Sequence, residues 1–185
     1  MHIIGEEIVW EGDFISIAKT RFVDMQGHTQ TYEVVRRARN HIVGVCAITL
    51  TGEVLIEKIF RVPVGNYVIE FPMGLADDGE TAEAAARREL REETGYEAPH
   101  WEPVFRGVVN SGLLADEMQL FIAAGAALVG DPRRESTEDI IVMAIPLNRL
   151  PAFIFRDCPR AGVVVDIKML SLIAILSQRK LGGRI

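Results

Sequence analysis

The chain has 185 residues, a net charge of −6 and two cysteines. That length suits one domain with a sizeable core and a small appendage, and the acidity, with no lysine or arginine block, excludes a general nucleic-acid or membrane-surface binder. Cys46 and Cys158 are too few for a disulfide scaffold, and no apolar run approaches the roughly 18 residues of a membrane span, so a reduced, cytoplasmic protein that uses a metal is the expectation.

From Ile8 to Val35 the residues are rich in β-branched and aromatic types, interrupted at Met25-Gln26-Gly27, where glycine allows a chain reversal. This pattern predicts a three-stranded antiparallel sheet over residues 1–38, ahead of a main domain at 39–185. So small a sheet is marginal alone and should pack on the main domain or on another subunit. His41–Leu50 and Glu53–Phe60 are apolar runs flanking a Thr51-Gly52 turn, the pattern of a buried hairpin. A short strand follows at Tyr67–Phe71, and Pro72 imposes an extended approach to what comes next. None of the four histidines has partner ligands at metal-site spacing.

Gly74 to Gly95 is the densest stretch. Thr81–Thr94 is built of Ala, Glu, Arg and Leu between glycine-containing segments and predicts a helix. On it Glu89, Glu92 and Glu93 stand at i, i+3 and i+4, beside an apolar strip of Ala82, Ala86 and Leu90. Like charges so spaced repel by a few tenths of a kcal/mol each, so either the flanking arginines and solvent absorb the cost or a hard divalent cation does. Strands are then expected at Trp101–Asn110, Met118–Ala124 and Ile140–Ile145, separated by the loops SGLLADE and GDPRRESTED; the second holds Glu135, Glu138 and Asp139. Val164–Lys180 carries apolar residues at nearly every helical turn and predicts a largely buried helix, with a frayed tail at 181–185.

The spacing Gly74-x5-Glu80-x7-Arg88-Glu89-Leu90-x-Glu92-Glu93-x-Gly95 resembles the Nudix box at every fixed polar and glycine position, with Tyr96 in the final place where an aliphatic residue is usual. Residues 12–37, 60–80 and 163–176 are also similar to the ADP-ribose and ADP-sugar pyrophosphatase branch of that family. The resemblance implies a Nudix fold, an α/β/α sandwich with a mixed sheet, plus the small N-terminal antiparallel sheet, through which two chains exchange to form a homodimer with shared sites. It implies an enzyme that hydrolyses the pyrophosphate bond of a nucleoside diphosphate sugar, ADP-ribose giving AMP and ribose 5-phosphate; a GDP-sugar or another nucleoside diphosphate is the alternative. Magnesium (Mg2+), or manganese (Mn2+) in its place, would be held by Glu89, Glu92, Glu93 and the backbone carbonyl of Met73.

By the same resemblance Glu80 supports the metal network, Arg88 holds the carboxylates by ion pairing, and Glu138, with Glu135 second, supplies the general base. Arg37 and Arg61 match basic positions on the diphosphate or terminal sugar, guanidinium being suited to bidentate phosphate contact. Phe14 and Tyr32 match aromatic positions that sandwich adenine across the dimer. Ser111 stands where the ADP-ribose group has proline, which opens the choice of sugar nucleotide. A non-catalytic ADP-ribose sensor would be expected to have lost a box carboxylate, and all are present.

Overall fold

The computed structural model describes residues 1–181. Residues 182–185 and the side chains of 179–181 lie outside the described residues, and with them all of the expected tail beyond Leu181.

The N-terminal sheet is β1 (His2–Glu11), β2 (Ile15–Val23) and β3 (Thr29–Arg37), antiparallel in the order β1-β2-β3. The β2–β3 reversal uses Gly27 at φ 86°, while Asp24 accepts hydrogen bonds from the backbone N–H groups of Gln26 and His28, which fastens the turn. The first strand is longer than its Ile8 start suggested, because β1 pairs with β2 as far out as His2↔Val23. This sheet touches the main domain through β3. Val35 N–H donates to the Leu113 carbonyl at 3.0 Å, the Tyr32 hydroxyl to the Gly112 carbonyl at 2.9 Å, and Arg37 pairs with buried Asp116 at 3.3 Å.

The main sheet is built from β4 (His41–Thr49), β5 (Glu53–Arg61), β6 (Asn66–Glu70), β7 (Met73–Leu75), β8 (Tyr96–Glu97), β9 (His100–Val108), β10 (Glu117–Leu128), β11 (Ile140–Pro146) and β12 (Val164–Val165). It is mixed: β4 runs parallel to β10 and β6 parallel to β12, with the other pairs antiparallel. The expected hairpin of β4 and β5 is bonded at a single pair, Ile48↔Val54. Towards its start β4 turns instead to β7, through Ile42↔Leu75 and Gly44↔Met73, and β5 turns to β6 and β11. The two strands splay, and the chain around Pro72 fills the opening.

Two helices sandwich this sheet. α1 (Ala82–Thr94) lays Ala85, Ala86 and Leu90 on Val43, Val45, Ala47 and Leu55. On the opposite face Cys46, Val54 and Ile56 meet Met169, Leu172 and Leu176 of α4 (Met169–Leu181). The strand alternation is legible here, since odd and even positions of β4 and β5 serve different layers. One expectation is corrected. The last helix begins at Met169 rather than Val164, because Val164 and Val165 pair with Val68 and Ile69 at the sheet edge, and a continuous apolar run does not separate strand from helix. A helical stretch also spans 150–160 as α2 (Leu150–Ala152), a π-helical turn (Phe153–Asp157) and α3 (Cys158–Arg160). Pro151 and Pro159 stand in its first turns, where no intrahelical N–H is required.

Candidate active site

α1 is held at both ends by its own sequence. Thr81 caps the start, its hydroxyl oxygen accepting from Ala84 N–H at 3.2 Å, and Gly95 closes the end at φ 80° with its N–H on the Arg91 carbonyl. Docking Ala85, Ala86 and Leu90 against β4 then rotates Glu89 and Glu93, one turn apart, inward towards β7. Glu93 accepts from the Met73 N–H at 3.0 Å. Glu89 lies so close over β7 that a Cβ on Gly74 would overlap its carboxylate, which explains the glycine. Glu92 stays half-buried at the rim.

Arg88 binds the cluster together. One of its terminal nitrogens donates to Glu89 at 2.9 Å and to Glu92 at 3.2 Å; the rest of the guanidinium holds both oxygens of Glu80 and the Leu75 carbonyl. Its proton is correspondingly held more tightly, chiefly by Glu80, and the Glu80 carboxyl is pushed below its ordinary value by the same bonds. The helix carboxylates therefore point at Arg88 and the Met73 amide. Among the described residues no group of three or more His, Cys, Asp or Glu is already gathered to hold a metal ion.

Carboxyl groups are nevertheless crowded here. Burial pushes the Glu89 and Glu93 carboxyls up; repulsion from Glu57, Glu89 and Glu138 adds to the rise at Glu93. Glu57 on β5 is 2% exposed, its Oε1 has no hydrogen-bond partner, and burial raises its carboxyl to about 8 against the opposing pull of Arg134 and Arg61. A buried carboxylate oxygen without a partner, among carboxylates that repel one another, is the hard donor set that fits a divalent cation.

Of the loop glutamates, Glu138 is half-buried and adds repulsion to Glu57, Glu89 and Glu93, whereas Glu135 is exposed and does not. The two are tied together: Glu135 N–H donates to the Glu138 carboxylate at 2.8 Å, and Glu138 N–H to the Glu135 carbonyl. Arg61 makes a bidentate pair with buried Glu70 at 2.9 and 2.8 Å, which presents its guanidinium beside the acidic cluster. Tyr32 and Ser111 line a cleft of about 490 Å³ between the N-terminal sheet and the 111–115 loop. Phe14 is 87% exposed and does not line that cleft, so a single chain does not bring the two aromatics together.

Sequence reasoning missed Glu57, Glu70, Asp116 and Arg134, the last of which donates from Nε to the Glu93 carbonyl at 2.9 Å. A signal for two of them exists. Glu57 follows the apolar run Val54–Ile56 and Glu70 lies between Ile69 and Phe71, and a charge within such an apolar run is the informative exception.

With this geometry in place, comparisons with known proteins are specific. The family model described as the NUDIX domain matches residues 39–158. An ADP-sugar pyrophosphatase of Mus musculus is 41% identical over 103 residues, 51% of this chain and 47% of the mouse protein, so the match spans about half the length of that relative. An ADP-ribose pyrophosphatase of Bacillus subtilis (strain 168) is 29% identical over 180 residues, 96% of each chain. A solved crystal structure described as an ADP compounds hydrolase superposes with a TM-score of 0.84 at 20% identity, covering 100% of this chain and 96% of that one, which shows the shared fold.

Proposed function

The chain belongs to the Nudix family of hydrolases, and from that premise we propose that it hydrolyses the pyrophosphate bond of an ADP-sugar, ADP-ribose foremost. The observation that carries this reading is the packing of Glu89 and Glu93 against β7, with Arg88 spanning Glu80, Glu89 and Glu92. Magnesium, or manganese in its place, held by Glu89, Glu92, Glu93 and the Met73 carbonyl, supplies when bound the positive charge that a diphosphate and an acidified water require.

The chain's own groups do the rest. Arg61, braced by Glu70, and Arg37, braced by Asp116, meet the diphosphate or the terminal sugar. Glu138 takes the proton of the attacking water; its half-burial and nearness to the acidic cluster favour it over exposed Glu135. Water adds to phosphorus as the bridging P–O bond breaks, leaving AMP and ribose 5-phosphate from ADP-ribose.

Residues 1–38 act as a dimerisation sheet on a main domain at 39–185. Ile3, Ile8, Trp10 and Phe14 are exposed on it, and two exchanged sheets would bring Phe14 of one chain towards Tyr32 of the other. Because Ser111 lines the cleft in place of proline, GDP-sugars belong in the test beside ADP-sugars. That test is incubation with magnesium and ADP-ribose, other ADP-sugars, GDP-mannose, nucleoside triphosphates and dinucleotides, with products identified by mass. Cleavage of ADP-ribose or another ADP-sugar, lost in Glu93→Gln, is expected. No turnover on any of them, or full turnover in Glu93→Gln, overturns the hydrolase; an active species that sediments as a monomer overturns the shared site.

A further inference from the structure

Among the described residues, the buried side-chain polar atom without a hydrogen-bond partner is Oε1 of Glu57. Its neighbours are otherwise engaged: Glu70 gives both oxygens to Arg61, Glu93 accepts from Met73 N–H, Arg134 donates to the Glu93 and Ile140 carbonyls, and Glu138 accepts from Glu135 N–H. Arg61 and Arg134 attract Glu57 without forming an ion pair with it among the described residues. An orphaned carboxylate in a native interior calls for an explanation, an unplaced ion being one of the few available.

The direction of the side chain follows from the strand. Leu55 lies in the layer under α1 with Ala85, Ala86 and Leu90, and the two-residue period of β5 puts Glu57 on that same face. Three residues after Leu90, Glu93 descends from α1 onto this face, and Glu57 is the strongest charged influence on it. A sheet carboxylate and a helix carboxylate, both buried, therefore face one volume.

We propose that Glu57 is a metal-ligating residue, taking one divalent cation between its free Oε1 and the Glu93 carboxylate. The inference rests on the metal-dependent reading above and adds to it a ligand from β5, outside the box helix and its approach strand. Oxygen donors of this kind suit magnesium or manganese, and the ion clamps α1 to the sheet beneath it.

Calorimetric titration of Mn2+ into the full-length, chelator-stripped protein and its Glu57→Gln variant tests this. The variant should lose one equivalent of manganese or bind it on the order of tenfold more weakly. Its chelated form should melt higher than the unmodified protein, since folding no longer has to desolvate or protonate a carboxylate, while the rise in Tm on adding Mn2+ should shrink. Unchanged stoichiometry and affinity overturn the proposal and leave the hydrolase reading intact. If the unmodified protein binds no Mn2+ at all, the Glu57 assignment falls, and the nucleotide-sugar panel decides the hydrolase reading separately. Should the variant fail to fold, Mn2+ soaked into crystals of the unmodified protein decides: anomalous density bonded to Glu57 supports the assignment, and density bonded only to other carboxylates overturns it.

Discussion

Around α1 the side chains are engaged several times over: Arg88 reaches four acceptor groups, Glu93 and Glu89 press on β7, and Leu90 is fully buried beneath them. The N-terminal sheet is the opposite case, with Ile3, Trp10 and Phe14 in solvent and its attachment concentrated on Tyr32, Val35 and Arg37 of β3. The first region is completed by its own chain, apart from an excess of negative charge that a cation would neutralise. The second leaves large apolar side chains exposed, the surface that the proposed dimer would cover.

Substitutions should separate the two regions. Leu90→Ala is expected to cost about 2–5 kcal/mol of stability by opening a cavity under α1, whereas Trp10→Ala should stay within about 0.5 kcal/mol in the monomer and weaken dimer association instead. Chemical denaturation paired with sedimentation measures both. Equal destabilisation by the two would erase the contrast.

The next effect is on pH dependence. Glu57 is raised to about 8 in the folded chain, chiefly by burial, so folding favours its protonated form; the stability it contributes is complete below the ordinary carboxylate range and is lost as pH rises through 8. Chelated protein should therefore lose on the order of a few kcal/mol between pH 5 and pH 9, and Glu57→Gln should flatten that slope. Thermal melts across this range supply the check.

Gly74→Ala should displace Glu89 while leaving the sheet intact, lowering kcat by about 10²-fold with the far-ultraviolet circular dichroism unchanged. Smaller still is Tyr32→Phe, which keeps the ring and removes the hydrogen bond to the Gly112 carbonyl. A loss of about 0.5–1.5 kcal/mol, up to roughly tenfold and read mainly in KM, is expected there.

How far the chain was legible depended on the range of the interaction involved. The three N-terminal strands, the box helix and the segments flanking it follow from residue pattern, since a cap, a turn glycine and a 3.6-residue period act within a few residues. Val164-Val165 was misjudged because only its partner, Val68-Ile69, makes it a strand. The β4–β5 pair was over-read for the same reason: β7 competes for the inner edge of β4, and no local signal announces that competition.

By itself, then, the sequence determined the family, the helix Ala82–Thr94 and the spacing of Glu89, Glu92 and Glu93, all of which are encoded by neighbours along the chain. The tertiary structure alone decided that Glu89 and Glu93 are buried while Glu92 stays at the rim, that Glu138 rather than Glu135 approaches them, and that Glu57 lies unpartnered on the same face. The physical reason is that burial and charge coupling depend on which strands close against α1. That closure is set by sheet registers joining residues dozens of positions apart.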